Sequence, residues 1–151
     1  MATLCVGDQP RNAPVRILVV EDNDPFRQFI FSILGKRAEL LIIGETSDGL
    51  QAVHKSEELQ PDLILLDIGL PSLNGIEAAR RICKLAPKSK IVFLSQESSP
   101  DIVRGALSTG GRGYVAKSCA GRDLLAAVEA VVQGRQFVSP GLMANVLIDK
   151  D

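Results

Sequence analysis

The chain has 151 residues, 46% hydrophobic and 23% charged, a composition typical of one globular domain and not of a disordered chain. Its 17 basic and 18 acidic side chains leave a formal net charge of -1, which excludes the basic field of a dedicated nucleic-acid-binding domain. No segment approaches the roughly 20 consecutive apolar residues that span a bilayer, so no membrane contact is expected. The three cysteines share no metal-ligand spacing and indicate reduced thiols in a cytoplasmic protein.

Strand-like and helix-like segments alternate along most of the chain. Residues 1–14 lack the apolar core of a signal peptide and are interpreted as a flexible leader. The domain proper is predicted over residues 15–135. Strict alternation of strands and helices indicates a doubly wound parallel α/β sheet with helices on both faces. The strands are predicted at residues 16–21, 40–45, 62–67, 90–95 and 113–116.

The helices have recognisable start signals and apolar faces. Asp24 is predicted to be the N-cap of the first helix, with Pro25 in its first position, and Ser99 begins the fourth helix in the same way. Apolar residues at i, i+3, i+4 and i+7 predict one buried face at residues 26–34 and another at 124–132.

Residues 136–151 follow the last predicted helix. Their apolar side chains have the spacing of a short amphipathic helix. This segment is predicted to be either a C-terminal extra helix packed on the domain or the start of a linker to a missing effector domain.

Reactive side chains are predicted at one edge of the sheet. The most apolar strand ends at Asp67, just before a loop rich in proline and glycine. The first strand ends at Glu21 and Asp22, the fourth at Ser95 and the fifth at Lys117. Because ligand sites in parallel sheets lie beyond the carboxyl ends of the strands, these side chains are expected on one rim.

Three acids on one rim would repel each other, and a divalent cation among them would relieve the repulsion. Carboxylate oxygens are hard ligands, which favours Mg²⁺, with Mn²⁺ as a second candidate. The alternative, that Glu21 and Asp22 only solvate a loop, is disfavoured because a third acid and Lys117 share the rim. Lys117 and the Ser95 hydroxyl could contact a phosphoryl group, and Asp67 could act as a nucleophile that forms an acyl phosphate.

These residues resemble the receiver domain of two-component response regulators. The resemblance covers residues 16–133 and depends on the acidic pair after the first strand, DIGLPSLNG around Asp67, Ser95, and GYVAK ending at Lys117. The string GALSTGGRGYVAKS followed by RDLLAAVEAVVQGRQFVSP is most similar to receivers that precede a LuxR-type helix-turn-helix domain. The implied fold is flavodoxin-like, a five-stranded parallel sheet in the order 2-1-3-4-5.

The resemblance implies a role for each residue at the rim. Asp67 would accept a phosphoryl group from a sensor histidine kinase, and Lys117 would pair with Asp67 and then with that group. Asp22, Asp67 and the backbone carbonyl of Gly69 would bind Mg²⁺, while Glu21 would act through a metal-bound water.

Two further residues would form the switch. Ser95 would be the switch hydroxyl, and Tyr114 would be the aromatic residue that turns inward when Ser95 moves. The alternative for Tyr114 is a half-buried aromatic residue with no switching role. The chain departs from the family pattern at Gln96, where a small residue is usual, and at Ser118, where a proline after a cis bond is frequent.

The predicted function is a phosphorylation-activated receiver that catalyses only its own phosphorylation and dephosphorylation. Phosphorylation would alter a distal face, favour a homodimer, and control transcription through a helix-turn-helix domain, which would be its only contact with DNA. A stand-alone receiver that acts by protein–protein contact is the alternative within this class.

A haloacid-dehalogenase-type phosphatase is a rival class, but its second aspartate would stand where this chain has Gly69. A nucleotide-binding domain would need a glycine-rich loop where the first strand is followed by acidic residues.

Overall fold

The computed structural model describes residues 13–96, 99–140 and 142, and within them six strands alternate with helices. The strands are β1 (Val15–Val20), β2 (Leu40–Thr46), β3 (Leu63–Asp67), β4 (Lys90–Ser95), β5 (Gly113–Ala116) and β6 (Phe137–Val138). The helices are α1 (Asp24–Leu34), α2 (Gly49–Leu59), α3 (Gly75–Leu85), α4 (Pro100–Leu107) and α5 (Ala120–Val132), and a 3₁₀ turn (Lys117–Cys119) separates β5 from α5.

All six strands form one sheet in the order β2-β1-β3-β4-β5-β6, and every neighbouring pair is parallel. The predicted flavodoxin-like fold with the order 2-1-3-4-5 is confirmed, and β6 extends the sheet beside β5. The predicted strand bounds agree with the observed ones to within one residue. From the predicted C-terminal segment, the structure describes residues 136–140 and 142, which include β6. The remainder of that segment and residues 1–12 of the predicted leader lie outside the described residues.

The caps of the helices follow the predicted chemistry with one correction. The prediction that Asp24 caps α1 was wrong, because the cap is Asn23, whose side chain accepts a hydrogen bond from the Phe26 amide at 2.8 Å. Asp24 is instead the first helical residue, where its charge is favourable at the positive end of the helix dipole. Ser99 caps α4 as predicted and accepts from the Ile102 amide.

Each face of the sheet is covered by its own apolar layer. Side chains alternate between the two faces along a strand, so β3, which is buried at all five residues, contributes to both layers. Helices α1 and α5 cover one face, while α2, α3 and α4 cover the other. This arrangement leaves the carboxyl ends of β1, β3, β4 and β5 together at one edge of the sheet.

Gly75 lets the loop after β3 return closely over the end of that strand. Its amide donates to the Ile68 carbonyl at 2.8 Å. A Cβ atom at this position would lie 2.2 Å from the Asp67 carbonyl oxygen, far inside van der Waals contact. The loop that carries Gly69 therefore depends on glycine at residue 75.

We expect Gly75→Ala to lower the free energy of unfolding by about 2 kcal/mol, a cost typical of overpacking. Gly105→Ala is the matched control, because no atom lies within 4 Å of a Cβ there and alanine is favoured in a helix. Urea denaturation of both variants measures the difference. Equal stability of the two variants would show that the loop tolerates a side chain.

Candidate functional site

A cleft of about 350 Å³ opens at the carboxyl edge of the sheet. The predicted rim residues come together here, because Glu21 and Asp22 follow β1, Asp67 and Ser95 end β3 and β4, and Lys117 follows β5. Glu21 is fully buried beneath the cleft. The lining residues are Asp22, Asn23, Asp67, Gly69, Ser95, Gln96 and Lys117.

Lys117 joins two of the three acids. Its Nζ atom lies 2.9 Å from each carboxylate oxygen of Glu21 and 3.3 Å from Oδ2 of Asp67. The same ammonium lies 4.9 Å from the centre of the Phe26 ring, within the range of a cation–π contact. The Asn23 amide also donates to Oε2 of Glu21 at 3.1 Å. One lysine thus contacts two carboxylates directly, and the acidic cluster keeps a negative net charge.

Asp67 is buried at the floor of the cleft, with its side chain 6% exposed. Its Oδ1 atom accepts a hydrogen bond from the Gly69 amide at 3.1 Å. Burial, followed by the charge of Glu21, raises the pKa of Asp67 from 3.8 to about 6, although Lys117 and the Gly69 amide act in the opposite direction. The cost of keeping Asp67 charged indicates that the site is short of positive charge.

The acidic cluster has the donor set of a divalent cation site. One carboxylate oxygen from each of Glu21, Asp22 and Asp67 lies within 4.8 Å of the others. Carboxylate oxygens are hard donors, the type that Mg²⁺ and Mn²⁺ prefer. A cation among them would also offset the negative charge of Glu21, which after burial is the second cause of the raised pKa of Asp67. The residues present therefore fit a divalent metal ion, and Gly69 lines the same cleft.

The two residues of the predicted switch lie on neighbouring strands. Ser95 is 2% exposed at the end of β4, and it pairs in register with Ala116 of β5. Tyr114 is fully buried, with its ring centre 6.3 Å from that of Phe93. Tyr114 is therefore not half-buried, since the ring lies in the layer under α4. Its role in switching stays a prediction.

Sequence analysis missed two residues near the acids. Asn23 lines the cleft and caps α1, and the strong capping preference of asparagine was a signal available in the sequence. Arg27 donates from Nη1 to the Glu21 carbonyl at 2.9 Å and forms an ion pair from Nε to Glu45 at 3.0 Å. Nothing in the spacing of Arg27 and Glu45 predicted that contact, because it joins α1 to β2.

The fold and the cleft define the class of the protein: a doubly wound α/β domain with an acidic, lysine-containing site at the carboxyl edge of its sheet. Residues 17–129 match the family model of the response regulator receiver domain, and the chain belongs to that family. It is thus a receiver domain of two-component response regulators, as the sequence motifs predicted.

Curated relatives of this chain include transcriptional regulatory proteins and response regulators. It is 31% identical to the transcriptional regulatory protein DegU of Brevibacillus brevis over 94% of this chain and 60% of that protein. It is also 31% identical to the nitrate/nitrite response regulator protein NarL of Escherichia coli K12, over 85% of this chain and 60% of NarL. The chain therefore spans about 60% of the length of these relatives.

Solved receiver structures share the fold. A LuxR-family two-component response regulator from Aurantimonas sp. superposes with a TM-score of 0.86 at 27% identity, covering 91% of this chain and 99% of that one. The signal receiver domain of a putative response regulator NarL from Mycobacterium tuberculosis gives a TM-score of 0.77 at 27% identity, over 82% and 99% of the two chains. Among the described residues, no helix has the length and apolar character needed to cross a bilayer.

Proposed function

We propose that this receiver accepts a phosphoryl group on Asp67 from the histidine of a sensor kinase. One observation supports Asp67 above the other acids: it lines the open cleft and also contacts Lys117, at 3.3 Å. Glu21 contacts Lys117 but is fully buried, whereas Asp22 lines the cleft and, among the described residues, is not one of the acids that pair with the lysine. A carboxylate oxygen of Asp67 would form the new P–O bond as the P–N bond breaks, and the bonding electrons would pass to the imidazole nitrogen.

The acids around Asp67 would hold Mg²⁺, for which Mn²⁺ could substitute. Asp22, Asp67 and the backbone carbonyl of Gly69 would be direct ligands, and Glu21 would act through a water molecule. When bound, the ion supplies positive charge for the phosphoryl oxygens. Lys117 would keep Asp67 oriented before transfer and then pair with the phosphoryl group. Ser95 would donate a hydrogen bond to that group, and Tyr114 would respond to the movement of Ser95.

The output proposed for the whole protein is transcriptional. DegU, one of the relatives named above, is a transcriptional regulatory protein, and this chain covers 60% of its length. We propose that the protein is cytoplasmic, that a sensor histidine kinase phosphorylates its receiver, that phosphorylation favours a homodimer, and that a C-terminal helix-turn-helix domain contacts DNA. The domain would act on no substrate other than its own phosphoryl group. A dehalogenase-type phosphatase is disfavoured because Gly69 provides no general acid at its position.

Phosphoryl transfer from acetyl phosphate is the direct test of this proposal. Labelling should require Mg²⁺, because the incoming dianion otherwise meets three carboxylates whose oxygens lie within 4.8 Å of one another. Asp22→Asn should weaken Mg²⁺ binding and slow labelling by about tenfold or more, as expected when a ligand to a metal is lost. Intact-mass spectrometry measures labelling, and calorimetry measures Mg²⁺ binding.

Asp24→Asn is the matched control for Asp22→Asn, because Asp24 is a neighbouring exposed acid that pairs with Arg27 outside the cleft. It should leave Mg²⁺ binding and labelling unchanged. Equal labelling with Mg²⁺ and with a chelator would contradict the proposed role of the acidic cluster.

Ser95→Ala should separate labelling from switching. The Ser95 hydroxyl would contact the phosphoryl group without attacking anything, so labelling of Asp67 should persist while the dimerisation that follows phosphorylation weakens. Ser95→Thr keeps a hydroxyl and should restore dimerisation. Sedimentation of the labelled proteins measures the dimer. Loss of labelling in a folded Ser95→Ala variant would instead make Ser95 part of the transfer chemistry.

A further inference from the structure

Ser139 and Asp123 form a buried polar pair just outside the cleft. Ser139 is 1% exposed and Asp123 is 4% exposed. The Ser139 hydroxyl donates to Oδ2 of Asp123 at 2.9 Å and accepts from the Ala116 amide at 3.1 Å. Asp123 lies in the first turn of α5, where Arg122 also donates to both of its oxygens. The side-chain hydrogen bonds of this pair thus reach the end of β5 and the start of α5.

The Ser139 side chain adds one hydrogen bond to the main-chain hydrogen bonds between β5 and β6. The Phe137 amide donates to the Arg112 carbonyl at 3.0 Å, and the Ser139 amide donates to the Tyr114 carbonyl at 2.9 Å. β6 ends at Val138, and beyond its end the Ser139 hydroxyl, not a main-chain carbonyl, accepts the hydrogen bond of the Ala116 amide. Without that hydroxyl, the partly buried Ala116 amide would lose this hydrogen bond, which costs free energy.

Ala116 connects this pair to the site. It directly precedes Lys117, whose ammonium contacts Asp67, and it pairs in register with Ser95. Ala116, the last residue of β5, therefore lies between two serines. Ser95 ends the neighbouring strand β4, and Ser139 directly follows the other neighbouring strand, β6. A displacement of Ala116 moves the backbone from which Lys117 extends.

We propose that Ser139, oriented by Asp123, is a positioning residue for Lys117 and couples the segment after α5 to the phosphoryl site. This inference rests on the proposed function, since it concerns how Lys117 meets the phosphoryl group. Coupling between two sites is reciprocal. Phosphorylation that pulls on Lys117 therefore changes the attachment of Ser139, and restraint of the Ser139 segment changes affinity at Asp67.

Beryllofluoride with Mg²⁺, a non-reacting mimic of the phosphoryl group, is the probe for the test. Calorimetry would compare its affinity for the wild type, Ser139→Ala and Ser89→Ala. Ser89 is the matched control, because its hydroxyl donates to the Pro61 carbonyl at 2.5 Å near the opposite ends of the strands. Both variants should lower the unfolding temperature, whereas only Ser139→Ala should weaken beryllofluoride binding, by about fivefold, which corresponds to one hydrogen bond.

A double-mutant cycle with Lys117→Ala tests whether Ser139 affects beryllofluoride binding through Lys117. If Ser139 acts through Lys117, its replacement should weaken binding no further once Lys117 is absent. Asp123→Asn is a second variant that keeps an acceptor for the Ser139 hydroxyl, and it should weaken binding less than Ser139→Ala does.

Three outcomes would overturn the inference: unchanged affinity in Ser139→Ala, the same loss in Ser89→Ala, or additive effects in the cycle. Wild-type protein that fails to bind beryllofluoride with Mg²⁺ would overturn the proposed function as well. If the wild type binds beryllofluoride normally and one of these three outcomes is observed, the inference about Ser139 fails while the proposed function stands.

Discussion

Asp67→Asn is expected to abolish phosphoryl labelling completely. The amide that replaces the carboxylate is not a nucleophile toward phosphorus, and among the described residues no other acid in the cleft combines access with a contact to Lys117. Intact-mass spectrometry after treatment with acetyl phosphate and Mg²⁺ measures the loss. Because asparagine has nearly the same shape, the fold and the Gly69 loop should be retained.

Asp101→Asn is the control for this experiment, since Asp101 is an exposed acid in the first turn of α4 that pairs with its helical neighbour Arg104. It should label like the wild type. Labelling that persists in Asp67→Asn, at any residue, would refute Asp67 as the phosphoacceptor. Peptide mapping of the labelled wild type provides an independent check of the modified position.

Asp67→Asn should also stabilise the fold at neutral pH when divalent cations are removed. The folded-state pKa of Asp67 is about 6 against an ordinary value of 3.8, mainly because of burial and then of Glu21. Between these two pH values the folded state binds more protons than the unfolded state does, so the stability of the wild type falls as pH rises. This difference in pKa corresponds to about 3 kcal/mol, which solvent in the open cleft should reduce to about 2 kcal/mol.

Urea denaturation at pH 4 and pH 7 in the presence of a chelator tests this expectation. The variant should gain stability relative to the wild type as pH rises from about 4 to about 6, and should gain little at pH 4, where Asp67 is protonated in the folded wild type and still partly protonated in the unfolded wild type. Mg²⁺ should remove most of the gain by stabilising the wild type. A stability difference that does not depend on pH would contradict the charge deficit inferred for the site.

Asp123→Asn is a control for which we expect the opposite effect on stability at neutral pH. Asp123 is also buried, but hydrogen bonding from Arg122 holds the pKa of Asp123 below its ordinary value, and Ser139 acts in the same direction. An acid whose pKa is lowered by folding contributes stability above its unfolded pKa and loses it as pH falls. Asp123→Asn should therefore destabilise the protein at neutral pH, and this loss should shrink in acid.

Local sequence patterns predicted the structure correctly where a pattern is compatible with a single structural element. An apolar run that ends in an aspartate predicted both the buried strand β3 and the place of Asp67 at its carboxyl end. Alternation of strands and helices was sufficient for the parallel sheet, because a parallel connection needs a crossover. Local pattern did not decide between Asn23 and Asp24 as the cap of α1, since both residue types are good caps and only the backbone angles distinguish them.

The sequence by itself determined the fold class, the order of the reactive residues, and the edge of the sheet on which they meet. Tertiary structure alone decided their partners: Lys117 lies closer to Glu21, at 2.9 Å, than to Asp67, at 3.3 Å. It also decided that Ser139, which sequence analysis did not single out, is buried against Ala116 and Asp123. The reason is that hydrophobic periodicity depends on neighbours in the chain, whereas contacts between strand ends depend on distances set by packing of the whole sheet.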